Sequence, residues 1–207
     1  MTMRRLPLVI EQAQARIRSS RTSLTEGLRS KVGRDNVTCR KGCAHCCSYP
    51  IYISLLEGIL LYRGLRNAGL WRSKLEKALE SHSNLTSGLA PEVWLTADIA
   101  CPLLDENRLC LAYDDRPFLC RATLSVGNPD DCRGVRFSET SFVPRQEEAI
   151  EFRKVVSSLK DQYDSRLLHH ATPISTAVLL GRLIMEETSE ADDLDDVIST
   201  YLQKKGA

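Results

Sequence analysis

The sequence has almost no net charge, no long apolar run and none of the common catalytic signatures. Its 28 Lys and Arg balance 27 Asp and Glu, leaving +1, so global charge offers no argument for nucleic acid or an anionic membrane as partner. No segment approaches the roughly 20 apolar residues of a membrane span. The basic pair Arg4-Arg5 precedes only a short apolar stretch, Leu6 to Ile10, broken by Pro7 and followed by Glu11 and Gln12. No export signal is therefore expected. A glycine-rich phosphate loop, a G-x-S-x-G elbow and an H-E-x-x-H pair are all missing, and no internal repeat is found. Strand-type alternation is too thin for an alternating α/β fold.

What is present is helical periodicity at both ends of a chain of 207 residues, a length that suits one domain over 1–207. Leu6, Ile10, Ala13, Ile17, Leu24, Leu28 and Val32 recur at helical spacing, which predicts an amphipathic N-terminal helix over 6–32, stopped at Gly33. Ser54-Leu55-Leu56-Glu57 reads as a capping box. It opens a helix through Ile59 to Leu65 that ends near Asn67–Gly69. A short helix is expected over 72–82 (Leu75, Ala78, Leu79), with His82 on its surface. From Pro91 to Pro144 prolines and glycines interrupt every periodic run, predicting irregular structure with a hairpin near Asp105–Arg108. Helices return over 145–205: one through Ile150 to Leu167, one over Ile174–Glu187 after Pro173, and one over Leu194–Leu202. The expected fold is mainly α, with helices surrounding an irregular, metal-stabilised cysteine-rich middle over 39–144.

Charge is unevenly placed. The first 42 residues are basic, and the tail carries an acidic run from Glu186 to Asp196. This allows RNA or an acidic protein partner for the N-terminal helix, a contact between the two ends, or simply solvated faces, and the solvated face is the preferred reading.

All eight cysteines fall between positions 39 and 132. Cys39, Cys43, Cys46 and Cys47 crowd into the first group; Cys101, Cys110, Cys120 and Cys132 are spread through the irregular middle. Without export they are expected to be thiols or thiolates rather than disulfides, and the adjacent pair Cys46-Cys47 is poorly placed to bond to itself. A small buried residue type does not explain four cysteines in nine positions. Soft thiolates donated from loops, with Gly42 permitting a tight turn before Cys43, are the pattern of a metal site for zinc or iron. Cys39, Cys43 and Cys46 have the C-x3-C-x2-C spacing that holds a [4Fe–4S] cluster in radical enzymes. Those enzymes sit on βα barrels, for which the strands are missing here. His45 lies within the cluster as a further candidate ligand or as a neighbour of ligands, and Arg116 and Arg121 flank Cys120, where they can offset thiolate charge. Pro117 is expected to start a helical turn. His169 and His170 read as ordinary surface residues.

The blocks Cys43-Ala-His-Cys46-Cys47, Cys101-Pro-Leu-Leu, Cys110-Leu-Ala-Tyr and Arg116-Pro-Phe-Leu-Cys120-Arg121 resemble, in order and spacing, the YkgJ-type cysteine-cluster proteins, a family of zinc- or iron-chelating domains. The resemblance spans about residues 39–132. It departs from the family's name pattern in having three residues, not two, between Cys39 and Cys43. It implies a metal-binding protein whose biochemical role is largely unassigned. The motif is also similar to that of flagellin lysine N-methylases, which implies an alternative as an iron–sulfur oxidoreductase or protein-modifying enzyme. The expected setting is cytoplasmic, with a metal ion as the partner, no membrane, and no nucleic acid.

Overall fold

The computed structural model describes residues 38–120 and 171–186 continuously, the backbone of 121–122, and a few single positions, among them Ser125, Cys132 and Tyr201. Apart from single positions, the expected helices over 6–32, 150–167 and 194–202, and the stretch 123–144 apart from Ser125 and Cys132, lie outside the described residues, as do His169, His170 and the side chain of Arg121. The described chain is mostly helical, as expected.

Strand β1 (Tyr52–Ser54) runs directly into helix α1 (Leu55–Asn67), and strand β2 (Ala171–Pro173) runs directly into helix α5 (Ile174–Glu186). The strands pair antiparallel with Ile53 opposite Thr172, and the Ile174 N–H donates to the Ile51 carbonyl at 3.0 Å. This two-stranded ribbon was not predicted. Three residues per strand are too few to carry an alternating pattern, and the pairing exists only because the two helices bring the strands together.

α1 begins as the sequence indicates. The Ser54 hydroxyl accepts from the Glu57 N–H, and the Glu57 carboxylate accepts from the Ser54 N–H, a complete capping box. Such a cap stabilises a helix start by about 1 kcal/mol. Leu55, Leu56, Ile59, Leu60, Leu61 and Leu65 are all buried, so α1 is covered on nearly every side. Its main partner is α5, which buries Ile174, Ala177, Val178, Leu179, Leu180 and Ile184. The two backbones touch. A Cβ on Gly58 would lie 2.2 Å from the Ala177 carbonyl oxygen, and one on Gly181 would lie 2.7 Å from the Ile59 nitrogen. Two glycines at the crossing are what permit that approach.

Helix α2 (Ser73–Thr86) extends four residues beyond the expected end and packs on α5. It buries Leu75, Leu79, His82, Ser83 and Thr86, while Ala78 is exposed. His82 is therefore not a surface residue. It continues the stripe of Leu75 and Leu79 at helical spacing, donates to or accepts from Ser175 Oγ at 3.0 Å, and sits beside the Ser83–Thr176 hydroxyl pair. At the far end of α5, Glu186 meets Tyr62 and Arg66 of α1, and Arg182 pairs with Glu76 of α2 at 3.0 Å.

The middle is less irregular than its prolines suggest. Pro91 occupies the first turn of a short helix, α3 (Pro91–Thr96), where its missing N–H costs nothing. A bridge between Leu104 and Cys110 closes the expected hairpin. Its tip is held by the Asp105 carboxylate, which accepts from the Asn107 and Leu109 N–H groups at 2.9 and 2.7 Å. A single 3-10 turn (Tyr113–Asp115) then leads through Pro117 into α4 (Phe118–Ala122).

Candidate metal centre

Four chain segments deliver the cysteines. The knuckle Cys43–Cys47 follows Gly42, whose φ of +90° is a conformation that favours glycine; the Cys43 N–H then donates to the Arg40 carbonyl and the Cys47 N–H to the Ala44 carbonyl, both at 3.1 Å. The Cys101 N–H donates to the Cys47 carbonyl at 2.7 Å, which ties the knuckle to the start of the hairpin. Cys110 lies on the returning arm of that hairpin, and Cys120 on α4.

Helix α4 is anchored from below by a buried carboxylate. Glu57 Oε1 accepts from the Phe118 N–H at 2.9 Å while Oε2 serves the α1 cap. One residue thus joins the helix start at Ser54 to the short helix that carries Cys120.

Cys43, Cys46, Cys47, Cys101, Cys110 and Cys120 all line one cavity of about 280 Å³. Cys39 and Cys132 do not line it and stand together to one side. Cys39 Sγ accepts from the Ser125 N–H at 3.1 Å, the Thr38 N–H and hydroxyl both donate to the Ser125 carbonyl, and the Tyr49 hydroxyl donates to the Cys132 carbonyl at 3.2 Å. All eight cysteines are free thiols. His45 is half-buried and does not line the cavity.

Several of the thiols are close enough to perturb one another. Cys39 is raised mainly by burial, with further contributions from Cys46, Cys43 and Cys132. Burial pushes Cys101 up, aided by Cys120, Cys110 and Cys46. Cys120 is pushed up to about 12 by burial, then by Cys46 and Cys110. Cys46 is raised most of all, first by its hydrogen bond with the neighbouring Cys47 thiol and then by burial. Arg116 opposes the rise at both Cys46 and Cys120. Its guanidinium is fixed in place, stacked 3.8 Å over the Tyr113 ring with its Nε–H donating to the Tyr113 carbonyl.

The donor set fits zinc or iron in chemical character, because soft sulfur ligands on loops and turns select these metals. Among the described residues, no group of three or more His, Cys, Asp or Glu side chains already stands in an arrangement that could hold an ion. The thiols surround a common space rather than a common point.

The rest of the cavity is not sulfur. Ile51, Ile99, Leu103, Leu104 and Ile174 supply apolar walls, together with the rings of His82 and Trp94, which meet edge to face with centroids 5.3 Å apart. Burial lowers His82 to about 4, so its ring is neutral at pH 7. Neither His82 Nε2 nor Trp94 Nε1 has a hydrogen-bond partner among the described residues. Sequence reasoning missed this part of the cavity; the helical spacing of His82 to Leu75 and Leu79 was the signal that could have found it.

Fold and site together define a helical, cysteine-cluster metal-binding protein. The family comparison makes this specific. Residues 38–149 match the CxxCxxCC family, described as "Putative zinc- or iron-chelating domain", and the chain belongs to that family. The match covers every cysteine. No curated protein and no solved structure matches the chain. The partner implied by the family is a metal ion, zinc or iron. No helix among the described residues is long and apolar enough to cross a membrane.

Proposed function

We propose that the chain is a metal-binding module of the cytoplasm, in which Cys46, Cys101, Cys110 and Cys120 form one ligand set and Cys39, Cys43 and Cys132 form a second that shares Cys46. The observation that carries this reading is the meeting of six thiols from four chain segments at one cavity. Cys47, hydrogen-bonded to Cys46, is the reserve donor between the sets. Four thiolates at one locus suit tetrahedral zinc or a [4Fe–4S] cluster equally. When bound, the metal supplies a charge that holds the thiols deprotonated and gathers the middle of the chain around them. Arg116 offsets the excess negative charge, and Glu57 holds α4, with Cys120, in place. Eight free thiols suit a reducing compartment. The packing of α5 against α1 and α2 ties the C-terminal part to the cysteine region and supports a single domain over 1–207.

Metal content of anaerobically purified protein tests this directly. The parent should carry close to stoichiometric zinc, colourless, or iron with sulfide, brown. Cys120→Ser should lose most of the metal held by its set, whereas Cys132→Ser should retain that set and lose only metal on the Cys39 side. Full metal retention in Cys120→Ser, or all eight thiols freely titratable in metal-replete parent, would defeat the assignment.

A further inference from the structure

A thiolate centre needs room for an ion or a small cluster; this cavity holds more. Its volume of about 280 Å³ corresponds to about nine waters at ~30 Å³ each, and beside the sulfurs it is walled by Ile51, Ile99, Leu103 and Ile174 with the His82 and Trp94 rings. Apolar walls with a few polar groups are the composition of a small-molecule site. Two ring nitrogens of lining residues, His82 Nε2 and Trp94 Nε1, have no partner among the described residues, which a finished core seldom leaves. The cavity also has a cation that the thiols do not engage. Arg116 is committed to Tyr113, Cys46 and Cys120. Arg108, at the hairpin tip, is exposed, lines the same cavity and makes no ion pair with any described residue.

From these features we infer that the apolar part of this cavity is a chamber for a small amphiphilic carboxylate, its hydrocarbon or aromatic body against Ile51, Leu103, Ile174 and Trp94 and its carboxylate paired with Arg108. The inference rests on the proposed metal centre only for what lies beside the ligand; the chamber's apolar walls come from the residue before β1, from α2, α3, the hairpin and α5. A ligand seated there shares the cavity with the thiols, so it controls access to them.

The test uses full-length, metal-replete protein and octanoate as the probe, with octan-1-ol and acetate as controls for head and body. Trp71 packs on Tyr62 and does not line the cavity, so Trp71→Phe leaves Trp94 as the single tryptophan reporter. Octanoate should bind saturably by calorimetry and shift Trp94 emission. Arg108→Gln should weaken octanoate about threefold, the scale of an exposed ion pair, and leave octan-1-ol unchanged. Ile99→Trp, which fills the chamber, should reduce both by at least tenfold while metal content stays at the parent level; Leu104→Trp serves the same purpose if the first variant does not fold. Acetate binding as well as octanoate, no saturable octanoate binding, or equal binding in the filled variants would overturn the chamber. Octanoate binding that persists in protein found to lack metal would support the chamber and remove the metal reading instead.

Discussion

Replacing Glu57 isolates the link between the helical core and the metal-binding middle. The carboxylate acts at both ends: Oε2 completes the capping box with Ser54, and Oε1 accepts the buried Phe118 N–H at 2.9 Å. Ser54→Ala removes only the bonds of the Ser54 hydroxyl in that cap, at a cost of about 1 kcal/mol. Glu57→Ala keeps the bond from the residue-57 N–H to the Ser54 hydroxyl but removes both carboxylate bonds, to the Ser54 N–H and to the buried Phe118 N–H, so it should cost about 2 to 4 kcal/mol. At an m-value of about 2 kcal/mol/M, the urea midpoint of Glu57→Ala should fall about 0.5 to 1.5 M below that of Ser54→Ala. Glu57→Gln keeps an acceptor oxygen and should recover part of the difference. Because Phe118 begins the helix that carries Cys120, Glu57→Ala should also lose metal to a chelator faster than Ser54→Ala does. Equal midpoints for Glu57→Ala and Ser54→Ala would refute the reasoning, since the Phe118 contact would then contribute nothing.

Three other outcomes are expected. Gly58→Ala places a methyl group 2.2 Å from the Ala177 carbonyl and should destabilise by several kcal/mol, on the order of the 1–3 kcal/mol of an overpacked core or more, visible as a lowered Tm with the α1–α5 crossing forced apart; a Tm unchanged within about 1 °C would mean the helices do not touch there. His82, held near 4 in the folded state against about 6.5 unfolded, takes up its proton more readily in the unfolded chain, so stability should fall as pH drops from about 6.5 towards 4, by up to about 3 kcal/mol. His82→Phe should flatten that limb, and parallel pH profiles for the two proteins would show that His82 is not the group responsible. Removing metal with a chelator should speed amide exchange in 101–120 while α1 and α5 stay protected, and continued protection of the hairpin would show that the middle folds without metal.

Much of the architecture was legible in local sequence, because local rules govern it. The capping box at Ser54–Glu57, the end of α1 near Asn67, the start of α5 after Pro173 and the hairpin at Asp105–Arg108 depend on residues within a turn or two of each other, and all stand where the pattern places them. The eight-cysteine pattern likewise marked the family and the zinc-or-iron chemistry, because ligand softness is a property of residue type. Proline punctuation misled at Pro91, which starts a helix rather than breaking one.

What local sequence could not decide was which distant groups meet. The β1–β2 ribbon joins residues more than a hundred positions apart and exists because α1 and α5 cross at Gly58 and Gly181. His82 looked like a surface residue until α5 covered its face of α2. In the chain the eight cysteines fall into one crowded group and four dispersed positions; the turn at Gly42, the Cys47–Cys101 hydrogen bond and the Glu57 anchor under α4 set six of them on one cavity. Residue type dictates what a thiol can bind. Long-range packing decides which thiols are near enough to bind it together, since those contacts depend on the closure of the whole chain and leave no local trace.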